Sequence, residues 1–147
     1  LQEEVARREG PDAHLHVMSA YRTPYYNAKI GNRTRYSRHL YGDAADVFID
    51  RDADDRMDDV DGDGKVTTAD AGKLYVMVDS MFGEAWYEPF VGGLGLYGPK
   101  RHRGPFIHVD TRGSHARWGD SRGKRWMKAH CPPDEPAAPA ARLGADE

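Results

Sequence analysis

The chain has one cysteine, Cys131, which excludes an internal disulfide and any cysteine-only metal cluster. It also has no run approaching the ~20 apolar residues of a membrane span. Leu1 opens no positively charged, apolar secretory signal, and without an initiating Met the chain reads as a mature or trimmed form. A bias to one charge is missing too, since 21 Lys and Arg stand against 24 Asp and Glu. The charges are instead segregated. Asp50 to Asp70 holds nine Asp against three basic residues, and Pro99 to Lys128 holds nine Lys or Arg against two Asp. The first segment suits a cation and the second an anionic partner, or both are solvated loops. The basic segment lacks an aromatic platform or a known motif, so no nucleic-acid partner is expected. Residues 132–147, rich in Ala and Pro, have too little apolar surface to offset their ordering entropy and read as a disordered tail. Cys131 lies just before that tail and reads as a free surface thiol. Residues 1–131 then form one domain large enough for an ordinary core, expected to be a monomer.

Within that domain, residues 1–9 read as the end of a helix stopped by Gly10 and Pro11. "HLHVMSAYR" (14–22) alternates as a strand, "TPYYNAKIG" turns into a short helix, and "DAADVFI" (43–49) is a second strand. Leu74, Met77, Val78, Met81 and Phe82 fall on one face of a core-facing helix. "VGGLGLYG" and "PFIHVDTRG" are two further strands, the second central. Strands and helices mix without a βαβ repeat, which points to an α+β domain.

"DVDGDGKVTTAD" has the spacing of an EF-hand calcium loop. Asp59, Asp61 and Asp63 take the first, third and fifth positions, with Gly64 sixth, where the chain turns sharply. Lys65 offers a carbonyl from the seventh position, Thr67 a ligand from the ninth, and Asp70 closes the twelfth, with Val66 as the apolar anchor. The twelfth residue is Asp rather than bidentate Glu, as in the dockerin type of loop that this stretch resembles. The entering segment "DADDRMDD" has almost no apolar face. One structural Ca²⁺, ordering an insertion at about 50–83, is the expectation.

"SRHLYGDAADVFID" (37–50) places His39 and Asp46 seven residues apart, with Gly42, Ala44 and Ala45 letting the backbone pass close by. A hydrolytic zinc takes three protein ligands and keeps one position open. His39 and Asp46 supply two if residues 40–45 make the turn. The best third is His108, a histidine in an otherwise apolar strand; a hydrogen-bonded core histidine is the competing reading.

"SAYRTPYYN", "SRHLYGDAAD" and "FIHVDTRG…RW" resemble, in order and spacing, the M15-type zinc peptidases of bacterial cell walls, the D-alanyl-D-alanine carboxypeptidase and murein endopeptidase group, whose fold is shared with the hedgehog signalling domain. The hallmark S-x-H-x-x-G-x-A-x-D is matched by Ser37, His39, Gly42, Ala44 and Asp46. The resemblance spans roughly residues 15–118, interrupted by the calcium loop. It implies a small central antiparallel sheet flanked by helices, a catalytic Zn²⁺ held by His39, Asp46 and His108, and Arg22 and Ser37 as substrate contacts. It also implies catalytic roles for Arg22 and for a proton carrier. Many members place a glutamate three residues before the last zinc histidine, where this chain has Pro105. His102, six residues before His108, is the alternative base. Asp110 on the same strand face is a second candidate, either for catalysis or as a partner of Arg112 or Arg117. The implied activity is hydrolysis of amide bonds next to D-amino acids in peptidoglycan, in the periplasm or outside a bacterium. The rival is a zinc- and calcium-stabilised module that binds wall peptide without cutting it.

Overall fold

The computed structural model describes residues 1–32, 34 and 36–131; the expected disordered tail, 132–147, lies outside them. The order is α1 (Gln2–Glu9), β1 (His14–Ser19), α2 (Pro24–Lys29), β2 (Ala44–Asp50), α3 (Thr68–Asp79), β3 (Gly93–Tyr97), β4 (Phe106–Asp110), β5 (Ala116–Gly119) and α4 (Ser121–His130), with 3-10 turns at Arg38–Leu40 and Ala85–Phe90. Local chemistry sets several of these boundaries. Gly10, at φ +102°, ends α1 in a conformation that side-chain-bearing residues avoid. Thr23 caps α2 by accepting from Tyr26 N–H, and Pro24 occupies its first turn. Thr67 and Asp70 form a reciprocal capping box at the start of α3.

The five strands form one sheet in the order β1-β2-β4-β3-β5, so β4 is central as its apolar pattern implies. Strand alternation divides the sheet into two faces. Val47, Ile49, Leu94, Leu96 and Ile107 point to one side, where α3 contributes Leu74, Met77 and Val78 to the buried core. The other side carries Asp46, Gly95, His108 and Trp118.

Four expectations change. The sheet is not wholly antiparallel, because β5 runs parallel to β3, Gly95 facing Trp118. The basic segment is not a solvated loop throughout, because Ser121–His130 folds into α4, capped by Asp120, which accepts from Gly123 N–H at 2.8 Å. Cys131 is half-buried against the core at the end of α4 rather than at the surface. Of the expected insertion, α3 belongs to the core, which leaves residues 51–67 as the excursion.

The start of α4 sits on the backbone of β3. A Cβ at Gly123 would lie 2.0 Å from the Leu96 carbonyl oxygen. Gly123→Ala should therefore destabilise the domain by roughly 1–3 kcal/mol, despite the ~1 kcal/mol gain in helix propensity. Urea denaturation measures this, and an unchanged midpoint would place α4 elsewhere.

Candidate active site

One row of paired residues crosses all five strands: Ser19 on β1, Asp46 on β2, His108 on β4, Gly95 on β3 and Trp118 on β5. A β-bulge between Val17 and Ser19 re-aims Ser19 at the end of β1. Gly95 leaves the row open, since a Cβ there would meet Trp118 Nε1 at 2.8 Å. The Trp118 indole lies over Gly93 and Gly95, donates to Tyr97 OH at 2.8 Å and sits 5.1 Å from the His108 ring. His39 arrives from the 3-10 turn. Gly42, at φ +77°, then reverses the chain into β2.

The three ring and carboxylate atoms expected to bind zinc come together. His39 Nε2, Asp46 Oδ1 and His108 Nδ1 are separated by 3.0, 3.1 and 3.2 Å. Tetrahedral zinc with bonds of about 2.0–2.1 Å spaces its ligands by roughly 3.3 Å, so this triangle is of the right size. All three residues are buried.

Their proton accounting points the same way. His39 Nδ1 lies 2.7 Å from the Ala20 carbonyl, which only accepts, so this nitrogen donates and Nε2 keeps a lone pair. His108 Nε2 lies 3.1 Å from Asp110 Oδ2. Asp110 also accepts from Gly93 N–H and is clamped by Arg112. Burial raises its pKa, but His108, Arg112 and the backbone bonds outweigh it and hold the group well below the usual carboxylate range. Nε2 of His108 therefore donates as well, and Nδ1 keeps its lone pair. Two imidazole lone pairs and an anionic oxygen converge with no proton between them. Such a cluster calls for a cation or a proton. Burial works against charging His108, yet Asp110 and Asp46 raise its pKa. Asp46 is also buried, and bonds from His108 and His39 hold it at about 2.

The other expected site residues divide. Arg22 reaches the site, but its Nη2 donates to Asp46 Oδ2 at 2.5 Å, its Nε to Ser19 Oγ at 2.8 Å, and only 11% of its side chain is exposed. It is tied to the carboxylate of Asp46 and also lines the cleft. Ser37 lines the cleft over the triad, a space of about 850 Å³ bordered also by Arg103, Phe106, Arg112 and Trp118. Asp110 is buried, and its partner is Arg112, whereas Arg117 pairs with Asp79. It bonds His108 Nε2 and is not among the described residues that line the cleft. His102 is not brought to the triad. It sits exposed on the turn 100–103 and lines a smaller neighbouring cleft with Asp54 and Arg56. Tyr97, Arg103 and Trp118 had no assigned role, although the two-residue spacing of Gly93, Gly95 and Tyr97 marks the open face.

In the acidic loop, Asp59, Asp61 and Asp70 bring carboxylate oxygens within 4.8 Å of one another, while Asp63 is not in that group. Asp59 accepts from the N–H groups of Gly62, Asp63 and Gly64, which lower its pKa. The Asp63 N–H lowers that of Asp61, but desolvation and the charges of Asp70, Asp63 and Asp59 raise it overall. Lys65 donates its N–H to Asp63 Oδ1, Thr67 is occupied as the cap of α3, and Val66 is exposed.

Asp110→Asn removes the charge that fixes the His108 tautomer while keeping its shape. Zinc affinity, measured by competition against a fluorescent chelator, should fall on the order of 10- to 100-fold; no change would leave the strand alone as the orienting device.

A family model described as Peptidase M15 matches residues 4–60, the segment that carries Arg22, Ser37, His39 and Asp46. No curated protein and no solved structure gives a match. The match supports a metallopeptidase of the M15 kind, a zinc-dependent class, and the five-stranded sheet with its flanking helices is compatible with that fold.

Proposed function

We propose that the chain is a zinc peptidase that hydrolyses amide bonds next to D-amino acids in bacterial peptidoglycan, working in the periplasm or outside the cell. The observation that carries this reading is the convergence of His39 Nε2, Asp46 Oδ1 and His108 Nδ1 on one point below an open cleft. The chemistry zinc supplies in such a place is Lewis acidity towards a carbonyl and a water whose pKa falls towards ~7. The protein's own residues do the rest. Ala20 and Asp110 fix the two imidazole tautomers, Arg22 and Ser19 hold Asp46 to a single facing oxygen, and Trp118 walls one side of the cleft.

One observation favours the binding module as a second reading. Among the described residues lining the cleft, every carboxylate and imidazole is engaged: Asp46, His39 and His108 in the triad, and Asp120 in accepting from Gly98 and Gly123. Digestion of purified peptidoglycan with and without a zinc chelator, read by mass spectrometry of released peptides, separates the two. Chelator-sensitive release of D-alanine or shortened cross-links is expected; intact wall after treatment with protein holding one zinc would establish the module. His102→Ala should keep its zinc and lie within about twofold of wild-type kcat/KM, since exposed substitutions away from a site cost little. A loss above tenfold would bring His102 back as the proton carrier.

The acidic loop is assigned a structural Ca²⁺, supported by the spacing of Asp59, Asp61 and Asp63 and by the like charges facing Asp61. A weak site, with Kd of order 10⁻⁴–10⁻³ M, would add about 1.4–2.7 kcal/mol at about 10 mM calcium. Differential scanning calorimetry should show that gain in wild type and its absence in Asp59→Ala. Equal melting temperatures in calcium and in chelator would remove the site.

A further inference from the structure

A second group of ligand-bearing side chains stands at the far end of β2. His16 on β1 comes together with Asp50, the last residue of β2, and with Asp55 in the excursion that follows; one ligand atom from each lies within 4.8 Å of the others. None of the three belongs to the triad or to the acidic loop at 59–70. Strand register puts His16 and Asp50 on the face that carries the triad. His16 pairs with Phe48, which stands two residues from Asp46 on one side and two from Asp50 on the other. Asp46 and Asp50 are therefore four residues, roughly 13 Å, apart along the strand, too far to share an ion.

The surrounding structure holds this group in place. The His16 ring stacks on Phe48, with centroids 4.6 Å apart and planes 14° from parallel, which fixes its orientation. Asp50 is 5% exposed, and among the described residues it accepts only from the N–H groups of Asp54 and Asp55, at 3.3 and 3.1 Å. Those bonds fold the excursion back over the end of the strand. Its return is anchored where Asp58 N–H bonds the Ile49 carbonyl at 3.0 Å, next to the buried Met57.

Charge and distance both call for an ion here. A buried carboxylate is costly without a cation, and among the described residues no arginine or lysine pairs with Asp50, whose one partner of that kind is His16. His16 Nδ1 lies 3.6 Å from Asp50 Oδ2 and 3.4 Å from Asp55 Oδ1. Both separations exceed the roughly 2.7–3.2 Å of an N–H···O hydrogen bond, and one N–H cannot point at two oxygens. They are close to the ~3.3 Å between neighbouring ligands of a tetrahedral ion. The imidazole nitrogen sets the class of that ion. Calcium and magnesium take oxygen ligands, whereas an imidazole with two carboxylates suits zinc and its neighbours in the first transition row.

We propose that His16, Asp50 and Asp55 form a second metal site, for zinc or a like divalent transition ion, which fastens the excursion 51–67 to the edge strand β1. The site stands apart from the triad and does not rest on the peptidase reading. Asp55, with 80% of its side chain exposed, gives the ion its path from solvent and leaves room for water to complete its shell.

Equilibrium dialysis against zinc, followed by elemental analysis, counts the ions bound per chain; excess calcium keeps zinc from the acidic loop. His16→Gln and Asp55→Asn should each hold one zinc fewer than wild type, whatever the triad itself holds. Asparagine keeps the size of Asp55 and tolerates its left-handed backbone, φ +63°, so this variant preserves the fold and decides alone if His16→Gln does not fold. Zinc should also slow tryptic cleavage after the exposed Arg56 in wild type but not in Asp55→Asn. A wild-type zinc count in either folded variant would overturn the proposal and leave His16 as an ion-pair partner of the two carboxylates. Cleavage after Arg56 at a rate indifferent to zinc in wild type would overturn the fastening of the excursion.

Discussion

Two imidazoles that are each compelled to aim a lone pair at the same carboxylate oxygen are the constraint from which the site follows. Neither ring is free to tautomerise, because the far nitrogen of each already donates, His39 to a backbone carbonyl and His108 to a carboxylate locked by an arginine. The structure therefore spends a buried anion, Asp110, and a clamp, Arg112, on fixing one proton. A buried carboxylate without its partners costs several kcal/mol. The Gly93 N–H and the Arg112 fork remove that cost for Asp110, and Arg22 does so for the second oxygen of Asp46.

The sheet makes this arrangement with little strain, because its register does the positioning. Asp46 and His108 are direct cross-strand partners, so their side chains rise from one face at the spacing that antiparallel pairing imposes. Only His39 has to be delivered by a loop, and that loop is tied back where Arg22 N–H bonds the His39 carbonyl at 2.9 Å. The same register explains the glycines. Gly93 and Gly95 lie where side chains would otherwise fill the face above β3, and the Trp118 indole takes that space.

Much of this was legible from the chain. The alternation in 43–49 and 106–110 marks the two strands whose partners are Asp46 and His108, and the small residues 42–45 mark the turn before them. The parallel strand β5 and α4 were not legible. β5 has four residues, Trp118 its single large apolar one, and α4 buries only Gly123 fully, so neither carries a strong periodic signal. Its docking depends on a missing side chain against a distant carbonyl, information that no local window contains. The bond from Arg22 to Asp46 was not legible for a related reason: a guanidinium fork suits a substrate carboxylate and an internal one equally, and only the fold brings Asp46 to it.

That competition between internal and external anions also explains the composition of the cleft. A cluster built on buried carboxylates draws in cations to offset them, and Arg22 and Arg112 are accounted for in that way, each pinned by the anion it neutralises. Arg38 is held likewise by Asp43 at the cleft's edge. Such cations have no remaining attraction to offer a ligand, so the density of positive charge in a sequence segment says little about what that segment binds. A guanidinium held by carbonyl oxygens differs, because carbonyls fix its direction and leave its charge uncompensated. Arg103 is of this kind and lines both clefts, whereas its neighbour in sequence, His102, lines only the smaller one. One residue's difference along that turn separates a side chain that borders the triad from one that does not, and spacing counted along the chain does not resolve it.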